Sequence, residues 1–211
     1  PDTPGDLSHG QFKLLLQDVT GGHDIAGITL VEQITTLGDV TLQAGDFLYA
    51  SGNAGGDAES VWLYETGSVG YGATPTANSI LLSGADPNVT INRSILGIEL
   101  VERPVQIGNQ TLQTGALLLK IDAADPVGGN GLVVDEYDVF ALDVTSTSVL
   151  GPGAATASLL FDGSDVQFDS NDEAVNAFTL VPTALTLSAN DDAVTTNEDS
   201  ALLIDPLAND S

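Results

Sequence analysis

The sequence predicts an all-β protein: an antiparallel β-sandwich built from two internal repeats of about 70–80 residues each, followed by an extended C-terminal strand. Three observations carry that expectation. Apolar residues alternate with polar ones, or run together, over five to seven positions at a time. A 24-residue segment recurs 70 residues downstream of itself. No stretch sustains a 3.6-residue apolar period, so helix is expected at most as a short turn over 170–177.

The repeat sets the order of the elements. Residues 27–50 read GITLVEQITTLGDVTLQAGDFLYA and residues 97–120 read GIELVERPVQIGNQTLQTGALLLK, identical at 11 of 24 positions without a gap. In the first copy the strand candidates are GITLVEQ, DVTLQ, DFLYASG, SVWLYET and NSILLSG. In the second they are GIELVER, NQTLQTG, ALLLKID, YDVFALDV and ASLLFDG. Val, Ile, Thr, Leu and aromatic residues fill these ten segments, and Gly, Asp and Asn separate them. Upstream of each GI-x-LV lies an aliphatic stretch, FKLLLQDV at 12–19 and ILLSGADPNV at 80–89. A third version, SLLFDGSDV at 158–166 followed by 175–181, starts another copy and is cut short. A period near 70 is too long for a β-helix rung, and two and a half units do not close a propeller. Two related lobes or one duplicated sandwich remain. The expected divisions are a first repeat or lobe at 1–96, a second at 97–188, and a linker with a C-terminal strand at 189–211. Trp62, Tyr64, Tyr137 and Phe140 are expected on strands, as core.

Charge removes several function classes. Thirty Asp and Glu face four Lys and Arg, a net charge of −26, while 42% of the residues are hydrophobic. That apolar share supports a folded core. Lys13, Arg93, Arg103 and Lys120 are the whole cationic supply, too few to neutralise a phosphate backbone, so no nucleic-acid partner is expected. No apolar run is long enough for direct membrane insertion. Zero Cys excludes disulfides and thiolate chemistry. The absence of an initial Met predicts a processed or trimmed N-terminus.

From residue 188 the character changes. Ala189-Asn190-Asp191-Asp192, Thr196, Glu198-Asp199, Ile204 and Leu207-Ala208-Asn209-Asp210 resemble the opening strand of the tandem cadherin-like or Ig-like domains of large secreted bacterial adhesins. The resemblance covers about 22 residues. It implies a secreted or cell-surface protein, and Ca²⁺ held by acidic residues at a domain junction. Ala201, Leu202, Leu203, Ile204 and Leu207 are apolar enough for a strand that needs a sheet. They are expected to join the following domain of a longer chain, or the sheet edge of another copy, head-to-tail.

Calcium takes six to eight oxygens, so dense carboxylates and amides are its candidates. Asp162, Asp165, Asp169, Asn171 and Glu173 form one run, and Asp191, Asp192, Glu198 and Asp199 a second. Neither follows the EF-hand spacing. For catalysis there is no G-x-S-x-G, H-E-x-x-H, P-loop or dinucleotide fingerprint. His9 and His23 lie in Gly-flanked N-terminal segments. Asn88, Asn92 and Asn109 head N-x-S/T sequons, which need a glycosylating host. The expected protein is therefore a non-enzymatic extracellular structural or adhesive β module, with a filament subunit joined head-to-tail through its C-terminal strand as one form of it. The alternative is a Ca²⁺-dependent carbohydrate-binding module of a bacterial surface adhesin, with glycans as partners. An unrecognised glycan hydrolase ranks third.

Overall fold

The computed structural model describes residues 15, 24–52, 57–70, 72, 74–168, 175 and 177–180. They belong to one compact unit, Pro1–Leu180; a second unit, Val181–Ser211, lies outside the described residues. The described fold is an all-β sandwich of two four-stranded antiparallel sheets, with three small hairpins. The strands are β1 (Ile25–Leu30), β2 (Thr35–Leu37), β3 (Val40–Leu42), β4 (Phe47–Ser51), β5 (Val61–Thr66), β6 (Pro75–Leu82) and β7 (Ile95–Leu100). They continue as β8 (Val105–Ile107), β9 (Gln110–Leu112), β10 (Leu117–Ile121), β11 (Asp125–Val127), β12 (Leu132–Val134), β13 (Val139–Ser146) and β14 (Ala154–Phe161). A 3₁₀ turn at Gly163–Val166 is the sole helical element among the described residues.

Each repeat supplies one sheet, in the order β1-β4-β5-β6 and β7-β10-β13-β14. The first four strands of each copy begin and end 70 residues apart. Their turns repeat as well. Gly38 and Gly108, at φ +57° and +58°, each open a two-residue hairpin loop, as the type II′ turn requires. Gly45 and Gly115 each donate a backbone hydrogen bond of 2.8 Å, to Val31 and Val101. Even the register irregularity recurs, between Ile25 and Gly27 in one copy and opposite Gly97 in the other. Phe47 pairs with Tyr64 and Leu117 with Leu142, so the offset has grown to 142 − 64 = 78 by the third strand. The hairpin β11–β12 lies in this enlarged connection.

Ser158–Phe161 is the end of β14, the counterpart of the end of β6, so this stretch completes the second copy rather than opening a third. Gly84 and Gly163 occupy matching corners. An added Cβ would lie 2.4 Å from the Glu59 carbonyl oxygen in one and 2.4 Å from the Tyr137 Cβ in the other. Only glycine fits so close an approach. Tyr137 itself sits on a turn rather than a strand, because the chain must bend there before β13.

The copies do not meet through equivalent faces. Leu48, Ala50, Val61 and Leu63 of the first sheet point into the shared core. Their counterparts in the second sheet, Leu118, Lys120, Val139 and Ala141, point away from it. The second sheet presents Ile98, Leu100, Leu117, Leu119, Phe140 and Leu142 instead. The counterparts of these, Ile28, Leu30, Phe47, Tyr49, Trp62 and Tyr64, lie on the outer face of the first sheet. The repeats are thus stacked front to back.

Candidate functional site

The contact between the repeats combines close backbone approach with cross-repeat hydrogen bonds. β1 lies on β7 with like residues superposed. A Cβ on Gly27 would sit 3.1 Å from the Gly97 Cα and 3.2 Å from an Ile98 methyl. Two glycines therefore let the strands approach well inside the usual spacing of about 10 Å between packed sheets. Beyond the strand end, the Glu102 carboxylate accepts from the Glu32 and Gln33 backbone N–H groups at 2.7 and 3.0 Å, and the Gln33 side-chain amide donates to the Glu102 carbonyl at 2.6 Å. The β2–β3 loop docks on the second sheet. Asp39 accepts from the Thr147 N–H and hydroxyl at 2.8 and 2.7 Å, which holds its carboxyl below its ordinary value.

The stack continues past the second repeat. Phe178 stands over Gly97, where an added Cβ would meet its ring at 2.7 Å. The position matches that of Ile98 over Gly27, as alignment of AFTLV at 177–181 with GIELV requires. Val175, Phe178 and Leu180 cover the aliphatic outer cluster of the second sheet, built from Val101, Leu112, Ala116, Leu118, Val139 and Ala141. Glu99, half-buried, is reached by the Thr29 and Thr179 hydroxyls, each at 3.5 Å. Burial pushes its carboxyl upward, and the Glu32 charge adds to the rise against hydrogen bonds from Leu180, Thr179 and Thr29.

On the opposite outer face, Phe47, Tyr49, Trp62 and Tyr64 form an aromatic cluster. Tyr49 stacks on Trp62 with centroids 6.0 Å apart, and Phe47 meets Tyr64 edge-on at 6.5 Å. The Tyr49 hydroxyl hydrogen-bonds Asn78 at 2.9 Å, whereas the Trp62 Nε1 and Tyr64 hydroxyl are buried with no protein partner. Burial raises both phenols. Phe140 is in the core as expected.

Of the acidic candidates, Asp162 and Asp165 are described. Asp162 caps the 3₁₀ turn, accepting from the Ser164 N–H and hydroxyl at 3.0 and 2.6 Å, and these bonds lower its carboxyl. Asp165 is exposed in the same turn. Asp138, not singled out from the sequence, is buried beside it and accepts from the Gly163 and Asp135 N–H groups at 3.1 and 2.9 Å. Burial raises its carboxyl, with the charges of Asp135 and Asp162 acting in the same direction. Among the described residues, no three His, Cys, Asp or Glu side chains converge as metal ligands. Asp169, Asn171, Glu173, Asp191, Asp192, Glu198, Asp199 and the strand candidates Ala201, Leu202, Leu203, Ile204 and Leu207 lie outside the described residues, as do His9 and His23.

The three sequon asparagines are exposed. Asn88 carries a bridge to Ala154, and Asn109 sits in the tip of the β8–β9 loop. The Asn92 amide nitrogen lies 3.4 Å from an Asp125 oxygen. Lys120 is buried on the outer side of β10, where desolvation lowers its ammonium against the charges of Asp122 and Glu136. No helix among the described residues is long and apolar enough to cross a membrane. No family of known proteins, no curated protein and no solved structure matches this chain.

Proposed function

We propose that this chain is a non-enzymatic structural or adhesive β module, working outside the cell as a subunit or segment of an extended assembly. The front-to-back stacking of its repeats supports this reading. Like elements placed on one another by a head-to-tail operation leave two different faces at the two ends, and such an operation extends unless its rotation closes a ring. The acidic surface suits a scaffold whose neighbours are separated by solvent or bridged by cations. In this reading the 201–207 strand joins a following domain or the sheet edge of another copy, and Ca²⁺ at the 162–173 and 191–199 runs stiffens the junction.

Negative-stain electron microscopy of the purified chain, with Ca²⁺ and with chelator, tests the proposal. Linear or end-linked particles are the expected result. Dispersed particles that bind a glycan array only when Ca²⁺ is present would favour the carbohydrate-binding alternative and overturn the structural reading.

A further inference from the structure

Along β1 and at the hairpin turns the contacts between the repeats are one-sided, each with a duplicate that the other repeat does not fill, whereas Phe47, Tyr49 and Tyr64 on the same outer face as Ile28 are already buried. On the side facing a preceding unit, Ile98 and Leu100 are each 4% exposed beneath the first sheet, whereas their counterparts Ile28 and Leu30 are each 43% exposed. A Cβ on Gly115 would lie 2.2 Å from the Thr36 carbonyl oxygen, while one on Gly45 meets nothing within 4 Å. On the side facing a following unit, Gly38 lies against the Ser146 backbone at 3.2 Å, and Gly108 against nothing. Asp39 and its counterpart Asn109 are both exposed at loop tips, but only Asp39 is tied to the other repeat, through Thr147. The segment 177–180 fills the seat on β7 but leaves its own far side, Ala177 and Thr179, exposed.

We propose that a second copy of this chain stacks end-on, seating the Ile28/Leu30 side of its β1 on the exposed side of the first copy's 177–180 segment. The contact repeats between chains what β1 makes on β7, and 177–180 makes on β7, within one chain. Its two halves are different surfaces, so it is heterologous, and it extends into a filament wherever its rotation does not close a ring. The proposal deepens the structural reading above and rests on it for copy-to-copy assembly, but it uses a different surface from the 201–207 strand. A net charge of −26 per chain opposes the approach of two copies, so the contact forms once salt screens that repulsion.

The test is sedimentation velocity on the full chain in about 0.5 M NaCl, where the screening length is only about 4 Å, at concentrations up to about 1 mM. The average mass is expected to climb with concentration without a plateau at the dimer. Ile28→Asp blocks one end and Ala177→Asp the other, and both positions are exposed, so circular dichroism and melting serve as controls for folding. Each variant alone is expected to be monomeric. Mixed in equal amounts they should form a dimer and nothing larger, because each retains the end that the other lacks.

A wild-type chain that stays monomeric throughout this range overturns the proposal, as do folded variants that assemble like wild type. Deleting 189–211 should leave assembly intact. If that deletion abolishes it while Ile28→Asp does not, strand donation holds the copies together: the stacking proposal fails and the structural reading stands.

Discussion

Alanine at Gly45 and at Gly115 forms a matched pair of perturbations that measures how much the repeat-to-repeat contact contributes. The two glycines are equivalent, with φ of +96° and +88°, and each donates the same 2.8 Å hydrogen bond. Alanine at positive φ costs about 1–2 kcal/mol in the folded state, offset by about 0.4–1 kcal/mol through a less flexible unfolded chain. Gly45→Ala, with open space around its Cβ, should therefore lose about 1 kcal/mol. Gly115→Ala bears the same backbone cost and adds a methyl 2.2 Å from the Thr36 carbonyl oxygen. That atom is backbone of the other repeat, so it yields only if the β2–β3 hairpin shifts by about 1 Å, an overpacking worth about 1–3 kcal/mol more. For a domain of this size each kcal/mol moves Tm by about 2–4 °C. Differential scanning calorimetry should show Gly45→Ala down by about 2–4 °C and Gly115→Ala by about 4–16 °C, with urea midpoints following in the same order. Equal losses would show that Thr36 does not bear on Gly115 and would refute the stacked arrangement of the repeats.

Other predictions concern charge. Glu99 has its folded-state pKa raised by burial above its ordinary 4.5, so it holds its proton more tightly in the folded state and its contribution falls as pH rises through and above that value. Glu99→Gln should accordingly raise Tm at pH 7 and leave it nearly unchanged at about pH 4; no change at neutral pH would count against a desolvated carboxylate there. Asp39 has the opposite sign. Its lowered pKa means stability present above its ordinary 3.8 and lost as pH falls through the folded value, so Asp39→Ala should lower Tm at pH 7 while Asn109→Ala does not. Equal effects at both loops would show that the Thr147 bonds are immaterial. Millimolar Ca²⁺ should raise Tm more than NaCl of matched ionic strength; an equal rise would reduce the effect to screening and leave the two acidic runs without a site.

The ten strand candidates read from alternation all appear, with ends shifted by a few residues. Four strands did not show in the sequence. β2, β8, β11 and β12 are three residues each, as are β3 and β9, but only the latter overlap the Thr-Leu-Gln that the repeat preserves, and β11 contains Pro126, which argues against a strand unless its N–H is not needed. The choice of inner face was also hidden. β4 and β10 are buried at all five positions, FLYAS and LLLKI, so no polar face marks the outside. The bond between Asp39 and Thr147 spans 108 residues, and nothing in either residue's neighbourhood announces the other. Asp138 shows the same limit: one acid among thirty, distinguished only by the Gly163 corner that folds over it.

The stacking mode accounts for where the two copies have diverged. A two-fold arrangement would bury equivalent positions alike and keep both copies under the same constraint. Front-to-back stacking places Tyr49, Trp62 and Tyr64 on an end face, while their counterparts Leu119, Phe140 and Leu142 fill the interior between the sheets. A phenol or indole in that interior would need a hydrogen-bond partner that an apolar inter-sheet layer does not supply. On the end face Asn78 satisfies one of the three polar tips. Identities between the copies persist where the same geometry is needed twice, at Gly27 and Gly97 and at both pairs of turn glycines. The glycines that admit close approach are thus kept in both copies, whereas polar contact residues such as Gln33 and Asp39 are replaced by Arg103 and Asn109, whose side chains make no hydrogen bond to the other repeat among the described residues.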